Sequence, residues 1–493
     1  MDDTPEPRRR VSTGIAGADE VLEGGLLERS ATLVRGVPGS GKTIFALHFL
    51  TALDPDAGET GLFINLGEPA SYLRSTAEGF GLDLEAVEFL SLSPTGEKFQ
   101  DAETYTLFES GEVETPSLVD DIRERIEAVG PDRVVLDPVT EFRYLTPDEH
   151  QFRGQVLSLL DFLSETGATT VLTSQAAPSM PDDDLQFLVD AVIDLAEAAD
   201  HRTMEVTKLR GSGSRRGRHA VEITDEGMTV WPRLTPERHG ATFTPEKLPS
   251  GVSELDEMLH GGLTTGTITF LSGPTGVGKT TTGLQFVQAA AARGDRSVLY
   301  SFEESPATLR SRSAAIGSPI DELVEAGTLE VVTIEPKART VDEFTGQLRT
   351  AVEDDGAEIV MIDGVRGFVS SLRGLGSEPT DHLVRIGRYL RNTGVTGIVT
   401  NEVRSITGDF RATEQGVSHL ADNILVLRYV EYAGELQKVI GVLKMRASDY
   451  ESRIRRLEIT SDGLVIGEPL TGLRGILTGT PELTGAVEVD EDE

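Results

Sequence analysis

Two stretches of this 493-residue chain have the composition and spacing of a phosphate-binding loop: Gly36-Val-Pro-Gly39-Ser40-Gly41-Lys42-Thr43 and Gly273-Pro-Thr275-Gly276-Val277-Gly278-Lys279-Thr280. In that eight-residue spacing the glycines let backbone N–H groups converge on one concavity at a helix N-terminus, where they cradle phosphate oxygens. Lys42 and Lys279 are spaced to reach the β- and γ-phosphates, and the Thr43 and Thr280 hydroxyls to ligate Mg²⁺. The chemistry this predicts is binding and hydrolysis of ATP with Mg²⁺ as its companion ion.

Hydrolysis needs further groups, and the sequence offers candidates for each. Asp137, ending RVVLD, and Asp363, ending EIVMID, supply an acidic residue at a strand end for the magnesium shell. A carboxylate must orient or deprotonate the attacking water, and the strand after the phosphate-loop helix ends Phe302-Glu303-Glu304-Ser305-Pro306 in the second case. The first reads Leu66-Gly67-Glu68-Pro69, so aligning Glu68 with Glu304 puts Gly67 opposite Glu303 and removes one carboxylate. Lys208-Leu209-Arg210 and Lys444-Met445-Arg446 each end a late strand. Half of the eight lysines in the chain fall in the two loops and these two tripeptides, which favours a contact to the γ-phosphate, since Lys and Arg are the usual clamps on a transferring phosphoryl group.

The elements that must position these residues come in two copies. Gly14 and Gly251, Asp19 and Asp256, Gly25 and Gly262, and Lys42 and Lys279 are each 237 residues apart; Lys208 and Lys444, Arg210 and Arg446, and Gly227 and Gly463 are each 236 apart. A repeat of that size is a duplicated domain, not a solenoid unit. Within each copy short Val/Ile/Leu-rich runs alternate with amphipathic stretches, predicting an α/β fold with a mostly parallel sheet flanked by helices. Strands are expected at 31–35, 61–66, 133–137 and 169–174, then a hairpin through 202–208 and 220–232. The second copy is expected to repeat them at 267–272, 297–302, 358–363 and 397–401, with its hairpin at 423–430 and 437–445. The domains expected are 1–235 and 236–480, with 233–249, which holds three prolines, as linker and 481–493 as an acidic disordered tail.

Composition narrows the remaining classes. With 82 Asp and Glu against 45 Lys and Arg, the net charge is -37, a field that opposes nucleic acid and anionic membranes. An acidic, lysine-poor chain has the character of a halophile's cytosolic protein. There is no cysteine, which excludes disulfides, thiolate metal sites and a cysteine nucleophile. No run of about 18 apolar residues is present, and a cytoplasmic location is expected.

Taken together, these motifs resemble the KaiC family, the circadian-clock ATPases and their archaeal relatives within the RecA/RadA group. The likeness spans nearly the whole chain: the Gly-Gly motif before each loop, the Glu-Glu-Ser-Pro turn, the Lys-Leu-Arg and Lys-Met-Arg strands, and the closing phrases ITDEGMTVWP and ITSDGLVIGEP. It implies two tandem RecA-like P-loop domains, a homo-hexamer with ATP between subunits, and Lys208, Arg210, Lys444 and Arg446 acting on a neighbour's nucleotide. It also implies a nucleotide-dependent switch read by a protein partner, and autophosphorylation of a Ser-Thr pair in the second domain. Here Ser418 matches the serine, but His419 stands at the threonine position, leaving Ser418 or nearby Thr413 as acceptor and Glu303 as its base. The competing reading is a RadA/RecA-like DNA-dependent ATPase, favoured only by Arg215-Arg216-Gly217-Arg218 in a hairpin loop.

Overall fold

The computed structural model describes residues 9–54, 57–92, 115–145, 148–175, 182–197, 200–318, 320–374, 379–403, 420–432, 434–446, 448–470, 473–474 and 482–483. It divides into two compact units, Met1–Arg233 and Leu234–Glu493, each built on a nine-stranded sheet.

In the first unit the strands are β1 (Ala31–Gly36), β2 (Gly61–Asn65), β3 (Val87–Ser91), β4 (Arg133–Asp137), β5 (Thr169–Gln175), β6 (Ala191–Glu197), β7 (Arg202–Leu209), β8 (His219–Thr224) and β9 (Gly227–Trp231). Their spatial order is β9-β8-β7-β6-β1-β5-β4-β2-β3. β1 to β6 pair in parallel, and β7, β8 and β9 extend one edge in antiparallel. The second unit repeats this order with β10 (Ile268–Gly273), β11 (Ser297–Ser301), β12 (Leu329–Thr333), β13 (Ile359–Asp363), β14 (Thr396–Glu402), β15 (Asn423–Tyr432), β16 (Glu435–Met445), β17 (Arg455–Thr460) and β18 (Gly463–Pro469). The central strands GLFIN, RVVLD and IVMID are buried along their whole length, as parallel strands covered on both faces must be. Each sheet is sandwiched between two apolar clusters, one around Phe45 and Phe49 and one around Phe142 and Phe152 in the first unit.

The core strands fall where the hydrophobic runs put them, but the late strands do not. Arg202–Leu209 pairs with β6 as well as with β8, and the stretch 220–232 is two strands joined by a tight turn at Gly227, whose φ is 96°. The counterparts of β15 and β16 are therefore β6 and β7. The strand AVIDLAE, with its internal Asp, and the edge strand VEFLS lack the continuous apolar run that marks a buried strand.

The proline-containing stretch 234–249 also differs from a free linker, because it packs into the second unit. Leu234 is buried in that unit's core. The helices there include α1 (Val341–Glu353) and α2 (Pro379–Thr393). On α2, the Asn392 amide donates to the Pro236 carbonyl at 2.8 Å, and the Asn392 carbonyl accepts from Ala241 N at 2.8 Å. His239 lies edge-on to Tyr389 at 5.3 Å, with Nδ1 2.7 Å from Glu353, and Phe243 covers Gly266 and Gly394. Its apolar contacts are too sparse in sequence to show a period. Glu482–Leu483 pairs with Leu473–Arg474; the rest of the acidic tail lies outside the described residues. No helix among the described residues is long and apolar enough to cross a membrane.

Candidate nucleotide sites

Each phosphate loop runs from a strand end straight into a helix: β1 ends at Gly36 and a helix begins at Lys42, while β10 ends at Gly273 and a helix begins at Lys279. Gly39 and Gly41 have φ of 81° and 101°, Gly276 and Gly278 77° and 114°, in the left-handed region open to glycine. A Cβ on Gly36 would lie 2.2 Å from the Leu195 carbonyl, and one on Gly273 2.3 Å from that of Leu427, so only glycine lets the loop press against the next strand. The Lys42 ammonium folds over the loop, donating to the Gly36 and Val37 carbonyls at 2.9 and 3.0 Å, and Lys279 donates to Pro274 O at 2.9 Å. Burial lowers both lysine pKa values, with Asp137 opposing at the first and Glu402, Glu303 and Asp363 at the second.

Asp137 and Asp363 meet the loops through the threonines. Thr43 Oγ1 donates to Asp137 Oδ2 at 2.8 Å and Thr280 Oγ1 to Asp363 Oδ1 at 3.0 Å. From the intervening strand Thr173 donates to Asp137, and Thr400 to Asp363 at 2.7 Å. Burial pushes both carboxyls above the usual aspartate range, against these hydrogen bonds. Sequence reasoning missed Thr173 and Thr400, since a strand-end threonine carries no signal by itself.

These residues fit a nucleoside triphosphate and a hard divalent ion. A Cβ at Gly36, Gly41, Gly273 or Gly278 would clash, so the cradle presents backbone there, the Ser40 hydroxyl is buried without a hydrogen-bond partner, and a hydroxyl–carboxylate pair is the oxygen donor set magnesium takes.

The carboxylates after β2 and β11 differ between the units. Asn65 Oδ1 accepts from Gly67 N and Glu68 N, both at 3.1 Å; in the second turn Ser301 Oγ accepts from Glu304 N at 3.3 Å. Glu303 lies against Gly364, where a Cβ would sit 2.6 Å from Glu303 Cγ and 2.7 Å from Cδ. In the first unit Pro138 occupies the place of Gly364 and Gly67 that of Glu303, with 3.4 Å between a Cβ on Gly67 and Pro138 Cδ. Bulk has moved from one side of the contact to the other. Burial raises the Glu303 carboxyl first, then the negative charges of Asp363 and Glu402. Glu304 is raised by burial but is held by an ion pair with Arg312. Glu68 is exposed and raised by what burial it has and by Asp137. Glu402, at the end of β14 and opposite Gly273 in register, adds a carboxylate where the first unit has Gln175 opposite Gly36.

The Lys–Arg tripeptides lie at the other end of each sheet. Lys208 pairs with Val192, which lies beside Leu33 of β1, roughly 10 Å along the strand from Gly36 at ~3.3 Å per residue. Its ammonium donates to the Gln186 and Val189 carbonyls at 2.5 and 2.7 Å, and Lys444 donates to Ala421 O at 2.5 Å. Arg210 Nη2 donates to Phe187 O at 3.2 Å and approaches Asp190 at 3.9 Å; Arg446 approaches Asp422 at 3.6 Å. Each tripeptide thus sits toward the end of its sheet opposite the phosphate loop of its own unit.

In the arginine loop, Arg215 pairs with Glu20 at 2.6 Å and Arg218 with Glu205 at 3.3 Å, so carboxylates engage two of its three cations. The candidate acceptors Thr413 and Ser418 lie outside the described residues.

Comparison with known proteins agrees with this geometry. A family model described as "ATPase: KaiC" matches twice, over residues 11–235 and 248–471. The circadian clock protein KaiC3 of Synechocystis sp. (strain ATCC 27184 / PCC 6803 / Kazusa) is 28% identical, covering 99% of this chain and 98% of that protein. The circadian clock oscillator proteins KaiC of Acaryochloris marina (strain MBIC 11017) and Synechococcus elongatus (strain ATCC 33912 / PCC 7942 / FACHB-805) are also 28% identical, over 96% and 98% of this chain and 91% and 93% of theirs. With two RecA-like domains, each carrying its own phosphate loop, the chain belongs to the KaiC ATPase family.

Proposed function

We propose that this KaiC-like ATPase works as a homo-oligomer, a hexamer by the family likeness, in which each phosphate loop is completed by the Lys–Arg tripeptide of a neighbouring copy, and that its nucleotide state is read by a protein partner as a regulatory switch. The observation that carries this reading is the placement of Lys208, Arg210, Lys444 and Arg446 at the sheet end opposite their own loops. Beside Arg210, the ring of Phe187 is 71% exposed, a large apolar contact offered to a partner surface.

In the proposed reaction water attacks the γ-phosphorus, the bond to the β,γ-bridging oxygen breaks, and ADP and phosphate leave. The loop amides and Lys42 or Lys279 hold the β- and γ-phosphates. Thr43 with Asp137, and Thr280 with Asp363, would hold Mg²⁺, which neutralises charge on the phosphates. Glu303 takes the proton of the attacking water in the second unit, where its raised pKa makes it a better proton acceptor than an ordinary glutamate; Glu304, tied to Arg312, orients the turn. In the first unit Glu68 alone is available, which supports slower turnover there and a role in holding the oligomer together. The same Glu303 would take the proton of Ser418 or Thr413 in autophosphorylation.

Native mass measurement and phosphosite mapping of the full chain after incubation with Mg-ATP in high salt test this reading. The expected result is a nucleotide-dependent hexamer with phosphate on Ser418 or Thr413. A monomer under every condition would overturn completion by a neighbour, and unmodified Ser418 and Thr413 would remove the kinase activity while leaving the ATPase.

A further inference from the structure

The two units hold their tripeptide arginines differently. In the second, Asp422 accepts at Oδ2 from Arg391 Nε at 2.8 Å and from the Ile268 backbone N at 3.0 Å, while its Oδ1 faces Arg446 at 3.6 Å. Arg391 also donates to the Leu420 carbonyl, and the Arg446 backbone N donates to the Asp422 carbonyl at 3.2 Å. The Arg446 side chain stays 55% exposed, while that of Asp422 is only 12% exposed. Arg391 thus pins both the carboxylate and the backbone of the turn on which Arg446 rests.

Among the described residues the first unit shows no counterpart of that pin. Thr166-Gly167 and Thr393-Gly394 align, which puts Ser164 where Arg391 stands. Ser164 and Asp190 line a cavity of about 200 Å³ with Arg29, Asp161 and Thr170, and Arg210 sits 3.9 Å from Asp190. In the second unit the surrounding ground is covered: Phe243 lies over Gly394, and the neighbouring Asn392 is hydrogen-bonded to Pro236 and Ala241.

We propose that Arg391 is a positioning residue for Arg446: through Asp422 and the Leu420 carbonyl it holds the guanidinium in the orientation needed at a neighbour's γ-phosphate, whereas Arg210 of the first unit takes its orientation from the Phe187 carbonyl. This rests on the reading that Arg446 acts on another copy's nucleotide. A residue that orients a group acting in the transition state moves kcat more than KM, and its loss is not additive with loss of that group.

The test uses the full-length protein and the part of its steady-state ATPase rate that Lys279→Ala removes. Arg391→Ser, which installs the first unit's residue, is expected to lower kcat for that part roughly tenfold with KM changed less than about twofold, and Arg391→Lys to recover most of it. The double variant with Arg446→Ala should be no slower than Arg446→Ala alone. An unchanged kcat in Arg391→Ser, or losses that multiply in the double variant, would overturn the proposal. If Arg446→Ala itself has no effect, the reading beneath it fails instead. Should Arg391→Ser not fold, Asp422→Asn takes its place, keeping the acceptor for Ile268 N but losing the charge. The same fall in kcat is then expected, and an unchanged kcat overturns the proposal.

Discussion

At the scale of single residues the two sites share a scaffold and differ in their carboxylates. The glycines, lysines, threonines and strand-end aspartates were legible in the sequence because phosphate chemistry dictates their types and spacing. Thr173, Thr400, Arg312 and Glu402 were not, since tertiary pairing alone brings them to the site. The Glu303–Gly364 contact gives a sharp prediction. Gly364 has φ of 100° and no room for a Cβ, so Gly364→Ala should displace Glu303 and slow the second unit about as much as Glu303→Gln, with ATP binding retained. Because the Glu303 pKa is raised and the base must be ionised, the acid limb of that unit's rate should lie above the usual glutamate range and vanish in Glu303→Gln. If Glu68→Gln abolishes turnover and Glu303→Gln does not, the roles of the two turns are reversed.

At the scale of elements, the parallel core strands could be read from apolar runs, whereas the antiparallel edge could not. β7, β8 and β9 are half-exposed, and their pairing depends on a tight turn at Gly227 and on packing against the phosphate loop, where Met228 and Ile223 would meet a Cβ on Gly41 at 2.7 and 2.9 Å. Two buried histidines tie this edge down. His48 Nε2 accepts from Met228 N at 2.9 Å, and His219 Nδ1 from Arg233 N at 2.9 Å, which requires neutral rings. Burial lowers both pKa values. The unfolded chain therefore takes up more protons than the folded one as pH drops through about 6.5, and this contribution, complete above that value, is lost progressively below it. Melting temperatures from pH 8 to 5 should fall on the acid side, and less steeply in His48→Gln, which keeps an acceptor; a wild-type-like slope in His48→Gln would contradict the assignment.

At the scale of the whole molecule, duplication was the most legible feature, because constant offsets between paired glycines and lysines survive divergence. What lay beyond the sequence was the polarity of each unit: a phosphate loop at one end of the sheet and a Lys–Arg tripeptide at the other, the arrangement on which the proposed assembly rests. The net charge of -37 opposes such association at low ionic strength and calls for screening salt when it is measured. The most direct test mixes two inactive full-length proteins in molar KCl with Mg-ATP. One carries Lys42→Ala and Lys279→Ala, with both phosphate loops disabled, and the other Arg210→Ala and Arg446→Ala, with both tripeptides disabled. Mixed oligomers pair an intact loop with an intact tripeptide, so ATP hydrolysis should reappear on mixing and scale with the fraction of mixed interfaces; a mixture no more active than its separate components would contradict completion of each site by another copy.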